Sequence, residues 1–156
     1  MAEITVRRAA AADAELLSSL NTEVQAMHAA ALPWWFKPPH PESAKAAAAA
    51  LDQPNSLVLI AHAGDKPAGY TYAEVMSQPE TPWRYAYEMV YIHHLGVAAD
   101  YRRQGVGTAL LAAMRAEASS RGITLLALDV WTFNEEARAF FRSRGFNPYN
   151  ERLWTR

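Results

Sequence analysis

The sequence predicts an α+β protein built on a mixed, mostly antiparallel sheet. Strand-like and helix-like stretches follow one another as strand, helix, helix, three strands, helix, strand, helix, strand. The Gly64-Asp65-Lys66-Pro67 turn joins two of the middle strands as an antiparallel hairpin. Thr124–Val130 is instead a continuous apolar run, as expected for a strand covered on both faces.

Taken in order, Ile4-Thr-Val-Arg-Arg-Ala alternates and reads as the first strand. Asp13 is placed to cap a helix whose apolar residues Leu16, Leu17, Leu20, Val24 and Met27 recur at helical spacing. That helix runs to about Ala30, and Pro33 closes it. The Pro-stiffened aromatic loop Pro33–Pro41 comes next, then a second helix from Pro41 or Glu42 through an Ala run to Leu51. Leu57–Ala63 and Ala68–Met76 are strands, and a polar loop from Ser77 to Arg84 leads into a long strand, Tyr85–Val97. A helix over Thr108–Ser120 buries Leu110, Leu111 and Met114 and stops at Gly122. Asn134 opens a further helix over Glu135–Arg144, ended by Gly145, and a last strand starts at Phe146.

At 156 residues the chain is long enough for one domain with a proper core. A formal net charge of −1 supplies no field to recruit nucleic acid or an anionic membrane. The absence of cysteine excludes disulfides, a thiolate nucleophile and Cys-based zinc sites, and it fits a cytoplasmic protein. No signal peptide or membrane span is expected, because the N-terminus lacks a continuous apolar run.

Function concentrates in Tyr91–Leu111. A strand ends in Leu95-Gly-Val97, and Arg102-Arg-Gln-Gly-Val-Gly-Thr108 leads into a helix. Gly105 and Gly107 lack a Cβ and let a ligand approach the backbone closely. The helix start presents unpaired N–H groups with partial positive charge, so the stretch suits a phosphate or pyrophosphate. No Lys stands near Gly107, as a P-loop would need. A dinucleotide fingerprint would want Gly where Leu110 stands and its first Gly directly after the strand; Asp129 alone supports that reading.

Arg102-x-x-Gly105-x-Gly107 resembles the pyrophosphate loop of the GCN5-related N-acetyltransferase (GNAT) superfamily, and Asn134-x-x-Ala137-x-x-Phe140-Phe141-x-x-x-Gly145-Phe146 is similar to a second motif of that family. The resemblance covers nearly the whole chain. It implies a GNAT fold, with a mixed sheet of about six to seven strands flanked by about four helices. It also implies acetyl-CoA as cosubstrate, without metal, and direct transfer of the acetyl group to a primary amine of a small molecule or peptide. The alternative is an acyl-CoA-binding module with little chemistry. By resemblance, the backbone of Arg103, Gln104, Gly105, Val106, Gly107 and Thr108 holds the pyrophosphate, with Arg102 or Arg103 beside it. Main-chain groups of Leu95 and Val97, flanking Gly96, pair with the pantetheine arm like an added strand, and Asn134 contacts that arm.

Phe141 departs from the family, many of whose members carry a Tyr there to protonate the departing thiolate. A positioned acid is worth about 10²–10⁴-fold, but a thiol with a pKa near 8.5 leaves tolerably as the anion. Tyr149 or Tyr91 offers a substitute phenol. His93 is the candidate base, since a neutral imidazole takes a proton near neutrality. Strand alternation sends its neighbour His94 to the opposite face. Glu88 and Glu74 are the carboxylate alternatives. Trp34, Trp35, Phe36 and His40 on one side, and Trp83, Arg84 and Tyr85 on the other, border the acceptor region by family analogy. That aromatic rim suits a cationic or apolar amine, or the contact of a homodimer.

Overall fold

The computed structural model describes residues 1–156. Its strands are β1 (Ile4–Arg8), β2 (Ser56–Ala63), β3 (Lys66–Gln78), β4 (Tyr87–Val97) and β5 (Leu126–Leu128). Its helices are α1 (Ala14–Ala31), α2 (Ser43–Leu51), α3 (Val106–Ser119) and α4 (Glu135–Ser143), with short 3-10 turns at Ala11–Asp13 and Ala99–Tyr101. The sheet order is β1-β2-β3-β4-β5, antiparallel except for the parallel β4–β5 pair that α3 connects.

The sheet is covered on both faces. On one side Val106, Leu110, Leu111, Met114 and Ala118 of α3 pack against Leu57, Leu59 and Ala61 of β2 and Val90 and Ile92 of β4. On the other, Leu17 of α1 packs with Val58, Ile60 and Tyr70, flanked by Leu16, Leu20, Ala47 and Leu51. β2 therefore faces apolar neighbours both ways, which explains its unbroken run Leu57-Val-Leu-Ile-Ala.

The sheet has five strands rather than six or seven. Residues from Phe146 onward form no strand; they run as an extended tail anchored by Trp154. Pro148 removes one ladder donor and no apolar alternation surrounds it. β5 is shorter than its apolar run because β4 leaves it after Ile92↔Leu128. Asp13 does not cap α1. Its carboxylate accepts from Ala10 N (2.7 Å) and grips the Arg7 guanidinium (2.7 and 2.9 Å), which pins β1 to the helix entrance. α3 begins two residues earlier than expected, at Val106, because Gly105 takes φ +87° and turns the chain into the helix there.

Two irregularities mark the β3–β4 ladder. A bulge places Tyr72 opposite His94 but Ala73 opposite Ile92, leaving His93 as the extra residue. Near the end of the same ladder, Tyr70 stands opposite Gly96, where an added Cβ would come within 3.0 Å of its ring.

Candidate active site

Beyond Ile92, β4 has no partner on its β5 side. Ala98 N donates to Ala68 O (2.9 Å), which fixes the phase of the ladder. Gly96 and His94 accordingly turn their backbone groups toward β3, and Leu95 and Val97 turn theirs into the gap between β4 and β5. An extended ligand arm lying in that gap would meet strand-like donors and acceptors.

At the end of the gap, each backbone N–H from Arg103 to Thr108 lacks a partner within the chain, the first helical bond being Ala109 N to Gly105 O (2.9 Å). Arg103 adopts φ +61°, an unfavourable conformation for a side-chain-bearing residue that costs about 1–2 kcal/mol. With Gly105 also at positive φ, successive amides curl into a concave nest suited to an anion. The two glycines act differently. Gly105 is needed for its φ and faces open space, whereas a Cβ on Gly107 would stand 3.3 Å from the Phe140 ring. Gly107 thus makes room for α4 rather than for a ligand directly. Arg102 is tied to structure, its guanidinium reaching Val97 O (3.2 Å) and Glu23 (3.3 Å). Arg103 makes no ion pair within the chain. The Thr108 hydroxyl accepts from Arg144 (2.9 Å), which fastens α4 across the first turn of α3. Asn134 caps α4 by accepting from Ala137 N (3.1 Å), and this leaves its amide nitrogen unengaged.

The bulge overturns the expected alternation of the two histidines. His93 and His94 project from the same face of β4, one stacked on Tyr72 (centroids 5.0 Å apart, 23° between planes) and the other meeting it edge-on at 5.8 Å. His93 Nε2 lies 3.0 Å from Glu74 Oε2, and Tyr72 donates to Glu74 Oε1 at 2.8 Å. Those two contacts, Tyr72 foremost, hold the Glu74 carboxyl below its usual range. Burial, then Glu74, pushes the Tyr72 phenol up to about 12. Tyr70 donates to Asn21 Oδ1 (2.7 Å) and lies 3.2 Å from His94 Nδ1. His94 retains solvent access yet is crowded on most sides, as a residue lining a cleft is. That crowding, followed by the nearby His93 and His28, lowers its pKa.

An aromatic wall closes the far side. Trp34, Trp35 and Phe36 after α1, Trp131 and Phe133 after β5, and Trp154 of the tail pack edge to face, tilted or, for Trp131 and Phe133, stacked, with centroids 5.1 to 6.1 Å apart. Trp83 and Tyr85 do not join it; they stand exposed at the β3–β4 hairpin tip. His40 does not join it either; it lines a polar crevice of about 150 Å³ with Asn21, Gln25 and Lys37.

Of the candidate catalytic groups, His93 lies in this cluster, and Tyr149 sits on the exposed tail close enough to Tyr91 to influence it. Glu88 is not brought in. It accepts from Ser77 (3.1 Å) near the hairpin, in phase with Val90 and Ile92, which face α3. Sequence reading missed Tyr70, Tyr72, Asn21, Trp131 and Trp154. Register could have offered Tyr70 and Tyr72, whose i, i+2 spacing puts them on one face of β3. No group of three His, Cys, Asp or Glu side chains converges on a metal-sized point.

The five-stranded sheet thus opens between its parallel strands, with an amide nest at the mouth of the opening. The Acetyltransferase (GNAT) family profile matches residues 22–146, and the chain belongs to that family. The chain is 41% identical over 56 residues to the [ribosomal protein bS18]-alanine N-acetyltransferase of Escherichia coli K12, a match covering 36% of this chain and 38% of that protein. The fold superposes on a tetramutant of the BH1408 protein from Bacillus halodurans with a TM-score of 0.90, at 24% identity over 97% of this chain and 99% of the other. It also superposes on the aminoglycoside N-acetyltransferase AAC(6')-Iy in complex with CoA, with a TM-score of 0.79, at 18% identity over 100% and 95% of the two chains.

Proposed function

We propose that this protein, acting as a single domain over residues 1–156, is an acetyl-CoA-dependent N-acetyltransferase. It transfers the acetyl group directly to a primary amine of a small molecule or peptide. The observation that carries this is the run of unpartnered amides from Arg103 to Thr108, set at the end of the gap that Leu95 and Val97 line. In the proposal the amides and Arg103 hold the pyrophosphate, the backbone of Leu95 and Val97 aligns the pantetheine arm, and Asn134 contacts it from the α4 side. A backbone N–H in Leu95–Val97 stabilises the oxyanion as the amine attacks. The imidazoles of His93 and His94 face the acceptor side, where one takes the amine proton. Tyr149 is the phenol offered to the leaving thiolate. The proposed location is the cytoplasm; no helix is long and apolar enough to cross a membrane. A homodimer contact through the exposed Trp83 and Tyr85 belongs to the same proposal, and sedimentation of Trp83→Ser checks it.

Phe141 favours a second reading, an acyl-CoA-binding module with little chemistry, because no phenol stands at that position. The test has two stages. Acetyl-CoA and CoA, but not NAD or ATP, should raise the unfolding temperature, since a ligand at a hundredfold excess over its Kd adds about 2.7 kcal/mol. Thiol release with a panel of amines then separates the readings. Steady turnover supports the enzyme, CoA binding with none supports the module, and no CoA shift overturns both.

A further inference from the structure

The phenol of Tyr70 has one proton and two neighbours. Asn21 Oδ1, at 2.7 Å, can only accept, so the proton goes there. The 3.2 Å contact with His94 Nδ1 is then closed from the other side, by an Nδ1–H that donates to the phenol oxygen. A neutral imidazole carries a single N–H. With it on Nδ1, Nε2 of His94 is left with a lone pair, and nothing in the chain hydrogen-bonds to it.

Packing holds this arrangement. Gly96 has no side chain where one would come within 3.0 Å of the Tyr70 ring and 3.3 Å of Val24 on α1. Tyr70 itself is buried (3% exposed) within the α1 core. His93 is placed differently: its Nε2 is turned to Glu74, and its ring lies between Tyr72 and Tyr91, each 5.0 Å away.

We propose that His94 is the general base, accepting the amine proton at Nε2, and that Tyr70 and Asn21 are positioning residues that fix the tautomer in which Nε2 is free. The proposal rests on the acetyltransfer reading above. In the step, the amine nitrogen forms its bond to the thioester carbon and gives one proton to His94 Nε2. The carbon–sulfur bond breaks, its electron pair leaves with sulfur, and the imidazolium returns its proton to solvent. The titratable groups facing His94 are His28 from α1, Tyr70 and Tyr72 from β3, and His93 on its own strand; the Glu74 carboxylate is engaged by Tyr72 and His93. None of these stabilises an imidazolium, and His94 is accordingly a neutral acceptor at neutral pH.

The tautomer is read by ¹⁵N NMR of the imidazole, independently of activity. Wild-type His94 should show a protonated Nδ1 and an unprotonated Nε2. Asn21→Leu, which frees the Tyr70 proton to point at Nδ1, should invert that pattern, and Asn21→Asp, which keeps an acceptor oxygen, should preserve it. An inverted pattern in the wild type overturns the proposal. In kinetics, His94→Ala should lower kcat by about 10²-fold or more while the acetyl-CoA-induced thermal shift persists. Tyr70→Phe should lower kcat about tenfold and alter the acidic limb of the pH profile at unchanged acetyl-CoA KM. Turnover and pH profile unaltered in His94→Ala overturn this proposal alone; absence of turnover in the wild type overturns the parent reading with it.

Discussion

The ring of Phe140 in α4 lies directly over Gly107 in the first turn of α3, so that a Cβ on the glycine would sit 3.3 Å from Phe140 Cζ. The second sequence motif thereby bears on the first. α4 presses on the helix start whose amides point into the proposed pyrophosphate site, and Arg144 fixes it there through Thr108. Gly107→Ala should shift the Phe140 ring by a few tenths of an ångström and weaken CoA modestly. Gly107→Trp should displace α4 and abolish the CoA-induced thermal shift. Unchanged CoA affinity in Gly107→Trp would remove the loop from the site.

Phe141→Tyr adds one phenolic hydroxyl to a half-buried ring that packs against Phe140 (5.2 Å) and Phe146 (5.5 Å). If that position looks toward the thiolate, kcat rises about tenfold or more with acetyl-CoA KM unchanged. A kcat equal to that of the wild type would mean that thiolate protonation does not limit the reaction.

Trp154→Ala should raise KM for the acceptor amine severalfold without changing that for acetyl-CoA. It removes the tail's anchor on Trp34 (5.3 Å) and Trp35 (5.5 Å) while leaving the amide nest intact. An increase in acetyl-CoA KM instead would place the wall on the cofactor side.

Acid stability tests a different contact. Glu117 of α3 bonds Arg8 of β1 and, at 2.7 Å, Arg121; these cations, Arg8 foremost, hold its pKa down to about 2. A carboxyl with a pKa lower in the folded than in the unfolded state adds stability above its unfolded pKa and loses it as pH falls through the folded one. Glu117→Gln should therefore be less stable than the wild type at pH 7. The difference is on the order of 1 kcal/mol, since the Arg8 end is solvent-screened, and it should close between about pH 5 and pH 2. Urea unfolding across that range measures the gap; one that stays constant down to pH 2 would contradict the pairing.

Legibility in the sequence tracked physical locality. β2 and α3 were readable because an unbroken apolar run and a Leu110, Leu111, Met114 stripe each report their own burial. The glycine loop was readable because a left-handed turn needs Gly105. The histidine pair was misread because alternation holds only in a regular ladder, and the bulge at His93 is a property of two strands together. The pairing of Asn21 with Tyr70 gave no signal, since their hydrogen bond joins residues 49 apart in the chain. The supposed last strand failed because Trp154 finds aromatic partners rather than a ladder.

The aromatic wall has an optical consequence. Four of the five tryptophans, Trp34, Trp35, Trp131 and Trp154, touch one another around the cleft, and the fifth, Trp83, is 91% exposed on the hairpin. The intrinsic emission of the protein is thus weighted toward one place, and rings this close exchange excitation among themselves. An amine settling against any one of them would alter the emission of the group, while Trp83 stands apart from it on the hairpin. The chain carries its own fluorophore for acceptor screening, and no label is needed.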